Sequence, residues 1–128
     1  MKIMRMLLAV LTIVLLAGVA LALPPQQSVH EVRNMLTTSP TPVALLDVRT
    51  PGEYAGGHIA GSLLYNFNGD DFERKLALLP KNYTYVVYGE TNHRSKRAAT
   101  MMRGMGFSVL HMDGGFKEWK RAGLPVAK

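Results

Sequence analysis

Cysteine, histidine and activated serine supply most of the covalent and metal chemistry of proteins, and this chain of 128 residues offers few arrangements of them. It contains no cysteine, which excludes disulfides, thiolate metal sites and a protein sulfur as nucleophile. No two of the four histidines, His30, His58, His93 and His111, have the short spacing that a structural zinc site uses. We therefore expect neither a metal nor a cofactor.

The polar segment 89–93 is the other place where reactive side chains gather. Thr91 and Ser95 lie in or beside it, but no Gly-x-Ser-x-Gly elbow and no base with an orienting acid accompanies them. Basic residues are frequent from position 93 to 97, and the formal net charge of the chain is +6. Without residues 1–22 the net charge is +4, from 13 Lys and Arg against 9 Asp and Glu, and this excess is too small to indicate nucleic-acid binding without a basic stripe interleaved with aromatic side chains.

The elements that would position these residues alternate along the chain. The predicted order is a helix capped by Ser28, a strand at 43–48, a short apolar run at 62–67, a helix capped by Asp70, a strand at 84–88, a helix at about 94–105, a strand at 107–112 and a last helix that begins at 113–115. Strands separated by helices favour right-handed βαβ connections. We therefore predict an α/β fold of three layers, in which helices flank a central, mostly parallel sheet.

The N-terminus has the pattern of an export signal. Lys2 and Arg5 precede an uncharged apolar run at 6–23, and Ala20-Leu21-Ala22 is typical of a cleavage site. We predict a signal peptide at 1–22 and a single domain at 23–128, exported to the periplasm or secreted. The alternative is an uncleaved anchor, which would attach the domain to a membrane through 6–23 and keep it outside the cytoplasm.

Several ordered motifs carry a resemblance to a known family. They are Leu46-Asp47-Val48-Arg49, Glu53-Tyr54, Gly57-His58-Ile59-Ala60-Gly61-Ser62 and the closing Asp113-Gly114-Gly115-Phe116-x-x-Trp119-x-x-x-Gly123-Leu124-Pro125-Val126. From about Ser28 to Val126 the chain resembles a rhodanese domain. The resemblance implies a small α/β domain with a central parallel sheet. It also implies a family of sulfurtransferases and of binding modules that have lost that activity.

The resemblance places the family's reactive cysteine at one position of this chain. In active members, the strand that matches 84–88 leads to a cysteine, which opens a six-residue loop ending in arginine. Here the loop is Gly89-Glu90-Thr91-Asn92-His93-Arg94, followed by Ser95 as in the usual pattern. Gly89 stands where the nucleophile would be, so we expect no sulfur transfer through a protein persulfide and assign no catalytic residue.

The loop keeps its length, and this suggests a binding role. Consecutive backbone amides at a helix N-terminus form an anion-binding nest, helped by the positive end of the helix dipole. We therefore expect residues 89–95 to bind a small anion or a sulfur compound. His93, Arg94, Lys96 and Arg97 would raise the local positive potential, and Glu90 would oppose it.

The same charged residues also have structural interpretations. Arg94 is expected to hold the loop through a buried carboxylate, with Asp47 and Glu53 as candidates, because buried arginines are seldom unpaired. The other cations of the helix at 94–105 would form its solvated face. The positions assigned to structural support are Asp47, Arg49, Glu53 and His58.

Three functions remain open at this point. The preferred one is a non-catalytic binding module of the cell envelope that recognises a small anion or sulfur compound. The second is a protein-interaction module whose partner brings the missing thiol. The third is an enzyme related to sulfur transfer that uses an external thiol.

Overall fold

The computed structural model describes residues 25–128, so the predicted signal segment at 1–22 lies outside the described residues. The elements, in chain order, are β1 (Gln26–Gln27), α1 (Val29–Thr38), β2 (Val43–Asp47), α2 (Pro51–Ala55), β3 (Leu63–Leu64), α3 (Phe72–Ala77), β4 (Thr84–Tyr88), α4 (His93–Gly104), β5 (Ser108–Met112) and α5 (Gly115–Arg121). None of these described helices is long and apolar enough to cross a bilayer.

The strands form one five-stranded sheet in the order β1-β5-β4-β2-β3, and every neighbouring pair is parallel. Successive side chains of a strand point to opposite faces, so Val86 and Val87 of β4 enter two different cores. Val86 packs with α1 and α5, and Val87 packs with α3 and α4. The predicted three-layer α/β fold is confirmed.

Parallel strands end at the same edge of a sheet, and this edge gathers the segments that the sequence singled out. Asp47 pairs with Tyr88 at the ends of β2 and β4, and Val87 pairs with His111 near the end of β5. The chain after β2 leads to Arg49, and the chain after β4 leads to Gly89. The loop at 89–92 therefore lies between the β2–α2 and β5–α5 connections.

Local capping signals explain where two of the helices begin. Ser28 caps α1, and its hydroxyl accepts a hydrogen bond from the Glu31 amide at 3.1 Å. Thr50 and Glu53 form a second capping box at the start of α2, with Pro51 in the first turn. The predicted order of elements has no helix between the strand at 43–48 and the apolar run at 62–67, so α2 was missed, although Thr50-Pro51-x-Glu53 is a helix-start pattern.

Several predicted boundaries were wrong. The cap position of α3 is Asp71, not Asp70, because the turn closed by the Gly69 amide and the Asn66 carbonyl delays the helix. The apolar run at 62–67 contributes only the two residues of β3, since the same turn ends it. Helix α4 begins one residue earlier than predicted, and β5 begins one residue later.

Candidate functional site

Helix α5 fixes the orientation of the loop at 89–92. The amides of Phe116 and Lys117 donate to the carbonyls of Gly89 and Glu90 at 2.8 and 3.1 Å. Gly115, with φ +65°, approaches so closely that an added Cβ would lie 2.5 to 2.6 Å from the carbonyl oxygens of residues 89–91. Only glycine fits there, because the conformation is left-handed and the space is filled by backbone.

The loop amides point away from α5. In a planar trans peptide the N–H lies opposite the preceding C=O. The carbonyls of residues 89–91 face Gly115, so the amides of residues 90–92 face the other side. Within residues 25–128, none of the amides from Glu90 to Ser95 donates a hydrogen bond. These donors adjoin the N-terminus of α4, where the helix dipole is positive.

Asn92 is the cap residue of α4, but its side chain binds another element. Its Oδ1 accepts from the Gly114 amide at 2.8 Å, and its Nδ2 donates to Asp113 Oδ1 at 3.1 Å. Asn92 therefore ties the loop to the β5–α5 turn and leaves the first amides of α4 without a side-chain cap.

Glu90 is held by a buried arginine. Arg49 is 2% exposed, and its Nη1 donates to Glu90 Oε2 at 3.1 Å. The same guanidinium binds both carboxylate oxygens of Asp47 and the Gly57 carbonyl, and lies 4.2 Å from the Phe116 ring centre. Burial is the strongest single influence and lowers the pKa of Arg49, but the hydrogen bonds and charge of Asp47, together with the hydrogen bond to Glu90, outweigh it and raise the pKa of the guanidinium. The carboxylate of Glu90 is thus paired with a cation.

Arg94 pairs with Glu53. The Nη1 and Nη2 atoms of Arg94 donate to Oε1 and Oε2 of Glu53 at 2.7 and 2.9 Å. The hydrogen bond from Arg94 is the main reason that the pKa of Glu53 falls to about 2. Of the two predicted partners of Arg94, Glu53 is therefore the one that pairs with it, whereas Asp47 pairs with Arg49. The carboxylate is 31% exposed rather than buried, which corrects the expectation of a buried partner.

Sequence reasoning missed a buried pair beneath the loop. Ser95 Oγ lies 2.7 Å from His111 Nε2, and both residues are buried. Burial, with Lys96 nearby, lowers the pKa of His111. Ser95 Oγ is also the side-chain atom nearest to a Cβ built on Gly89, at 3.6 Å. His111 is a polar residue near the end of the otherwise apolar strand β5, and this position was the signal that could have indicated it from the sequence.

The side chains of the remaining candidates take no part in the hydrogen bonds of the loop. Thr91 and His93 are exposed, and the His93 side chain has no hydrogen-bond partner within residues 25–128. His58 stacks on Tyr54, with ring centres 3.7 Å apart, and its Nδ1 lies 3.0 Å from the Tyr54 carbonyl oxygen. These contacts give His58 a structural role. No group of acidic or histidine side chains within the described residues has the arrangement of a metal site.

The fold and the site define a class of protein. It is a parallel α/β domain in which a central strand ends in an amide-lined loop that leads into a helix. The rhodanese-like domain profile matches residues 28–122, and the chain belongs to that family. It is 34% identical over 100 residues to the thiosulfate sulfurtransferase GlpE of Stutzerimonas stutzeri, covering 77% of this chain and 83% of that protein.

Two further relatives extend the comparison. The uncharacterized protein slr1261 of Synechocystis sp. is 33% identical over 87 residues, which cover 67% of this chain and 48% of slr1261. This chain therefore spans about half the length of slr1261. The crystal structure of a rhodanese-related protein from Thermoplasma volcanium has a TM-score of 0.73 at 23% identity, covering 81% of this chain and 98% of that one. The absence of cysteine is consistent with an inactive member of the family.

Proposed function

We propose that this protein is an exported, non-catalytic rhodanese-like module that binds a small anion or sulfur compound at residues 89–95. The observation that carries the proposal is the row of loop amides, Glu90 to Ser95, that donate no hydrogen bond within the described residues. Such donors are preorganised because α5 already holds the loop carbonyls. An anion gains several charge-assisted hydrogen bonds there without reorganising the backbone.

The absence of a nucleophile favours binding over catalysis. Sulfur transfer by this family's mechanism needs a protein thiolate that carries the sulfur as a persulfide, and Gly89 has no side chain to carry it. GlpE of S. stutzeri, named as a thiosulfate sulfurtransferase, suggests the chemical class of the ligand. Thiosulfate and sulfate are therefore the first anions to test.

Ion pairs set the charge beside the loop. Arg49 pairs with both Asp47 and Glu90, so these three side chains together keep one negative charge, and Glu90 opposes the binding of an anion. Arg94 is engaged by Glu53, so the positive potential at the loop comes mainly from the amides, the dipole of α4 and the unpaired cation of Lys96. We expect the affinity to fall as the salt concentration rises.

Titration of the full chain with sulfate and thiosulfate, followed by amide chemical shifts in 15N–1H spectra, tests the binding. We expect shifts concentrated at residues 89–95 that sodium chloride does not reproduce. Glu90→Gln should raise the affinity because it removes the negative charge nearest the amides. Glu118→Gln on α5 removes an equal charge at an exposed pair with Arg121 and should have no effect. Shifts scattered over the surface, or an equal response of both variants, would contradict anion binding at the loop.

Export is a separate part of the proposal and has its own measurement. We infer it from the charged start, the apolar run at 6–23 and the Ala20-Leu21-Ala22 pattern. N-terminal sequencing of protein recovered from the cell envelope should give a chain that begins at Leu23. A chain that retains Met1 and fractionates with membranes would instead support the anchored form, and a full-length chain in the cytoplasm would refute export.

A further inference from the structure

The outer face of α4 carries cations without acidic partners. Lys96, Arg97 and Arg103 are exposed, and none of them belongs to an ion pair within residues 25–128. Lys96, Thr100 and Arg103 lie on one side of the helix at the spacing of neighbouring turns, and Arg97 flanks this row on the side of Phe67. Helix α4 contains no acidic residue, so its outer face is uniformly basic.

Two of these cations do not stabilise α4 through its dipole. Cations near a helix N-terminus oppose the positive end of the dipole, and Lys96 and Arg97 in the first turns have no acidic partner within residues 25–128. Arg97 makes a cation–π contact with the Phe67 ring, 5.3 Å from its centre, whereas Arg103 lies in the last turn, where a cation is favourable. The positive potential of Lys96 and Arg97 is therefore available to an external anion.

The surface is also concave. A groove of about 400 Å³ is lined by Lys96, Arg97, Thr100 and Met101. A second cavity of about 230 Å³ adjoins it and shares Lys96 and Thr100. Its other lining residues are Pro25, Gln26, Ala99, Arg103 and His111. We call this continuous surface the α4 groove.

We propose that the α4 groove docks an extended acidic segment of a partner protein. The proposal goes beyond anion binding at the loop, because Arg97 and Arg103 lie along the side of α4, away from its N-terminal amides, and only Lys96 is close enough to contribute to both sites. From Lys96 to Arg103 the helix rises about 10 Å at 1.5 Å per residue. An extended peptide of about three or four residues covers that length, so alternate carboxylates can reach both ends of the basic row.

The side chains of the surface favour a polypeptide over the two other large anions. Anionic bilayers are typically bound by clusters of about four to eight Lys and Arg side chains, whereas the outer face of α4 carries Lys96, Arg97 and Arg103. Single-stranded nucleic acid is held by exposed aromatic rings on which bases stack. Phe67, the ring beside the groove, is partly buried and covered by Arg97.

Fluorescence anisotropy with a labelled oligoglutamate peptide of about six residues tests the proposal on the full chain. We expect saturable binding that weakens with salt, and amide shifts at residues 96–103. The double variant Lys96→Glu with Arg103→Glu should lose at least about tenfold in affinity. Arg74→Glu with Lys120→Glu makes the same change in net charge on α3 and α5 and should bind like the native chain.

The possible results distinguish binding at the α4 groove from binding at residues 89–95, and they distinguish an acidic peptide from other anionic ligands. An equal loss in both double variants would show that only net charge matters and would overturn the proposal. Tighter binding of anionic vesicles or of single-stranded RNA than of the peptide would overturn it as well. Peptide shifts confined to residues 89–95 would assign the binding to the loop instead. The far-ultraviolet circular dichroism spectrum of each variant should match that of the native chain. If charge reversal unfolds α4, Lys96→Gln removes the charge without reversing it and should still weaken peptide binding.

Discussion

Arg94 and Glu53 form a two-point ion pair that joins the loop after β4 to helix α2, 41 residues away in the chain. The pair does two things at once. It shares the Glu53 carboxylate with the capping box of α2, in which the Thr50 amide donates to the same Oε1, and it holds Arg94 in the first turn of α4. Loop geometry and α2 stability are therefore expected to depend on the same carboxylate.

Acid should weaken the fold through Glu53. Its pKa lies at about 2 in the folded protein against an ordinary value of 4.5. The unfolded chain therefore takes up the proton first as the pH falls, so the contribution of Glu53 is complete above 4.5 and is lost towards 2. Urea unfolding over this range should show a fall in stability that Glu53→Gln reduces. Glu73→Gln, at an exposed position of α3, is the control, and an unchanged pH profile in Glu53→Gln would contradict the role of the pair.

Gly115→Ala should disrupt the loop. The new Cβ would meet three carbonyl oxygens at 2.5 to 2.6 Å in a left-handed conformation. We expect a loss of at least about 3 kcal/mol of unfolding free energy, from the clash and the backbone strain together. Gly123 is the matched control: its φ is +73°, but a Cβ there meets nothing within 4 Å. Gly123→Ala should cost only about 1 to 2 kcal/mol, and equal losses would show that the contact with the loop is unimportant.

Arg49→Met should be strongly destabilising because it leaves the carboxylate of Asp47 buried without its cation. The expected loss is about 3 to 5 kcal/mol in urea unfolding. Replacing both partners, as Asp47→Leu with Arg49→Met, should recover part of that loss, since no unpaired charge remains. Arg121→Met on the exposed end of α5 should leave stability unchanged. A double variant less stable than Arg49→Met would contradict the explanation.

Gly89→Cys should produce an activated thiol. A Cβ at this position makes only ordinary contacts, the nearest at 3.6 Å, and the backbone is not left-handed. The loop amides should lower the thiol pKa below its usual value of about 8.5, measurable from the pH dependence of iodoacetamide alkylation. We also expect weak formation of thiocyanate from thiosulfate and cyanide. Gly104→Cys, at an open position, is the control and should give an ordinary thiol. Identical alkylation profiles would show that the nest no longer favours an anion.

Local patterns in the sequence were enough to predict most of the architecture. The continuous apolar runs gave β2, β4 and β5, because strands buried on both faces contain few polar residues. The position of Gly89 and the length of its loop were likewise visible, since the strand before it and the helix after it are adjacent in the chain. These features depend on neighbouring residues, which is the information that a single sequence contains most directly.

Only the tertiary structure decided which side chains meet. Arg94 had two carboxylate candidates, and the parallel register of β2 and β4 brings it to Glu53 while Asp47 pairs with Arg49. The contact of Ser95 with His111 depends in the same way on how α4 packs over β5. The sequence specifies which groups are present and where the chain turns. Pairing of distant charges depends on strand register and helix packing, which the core determines as a whole.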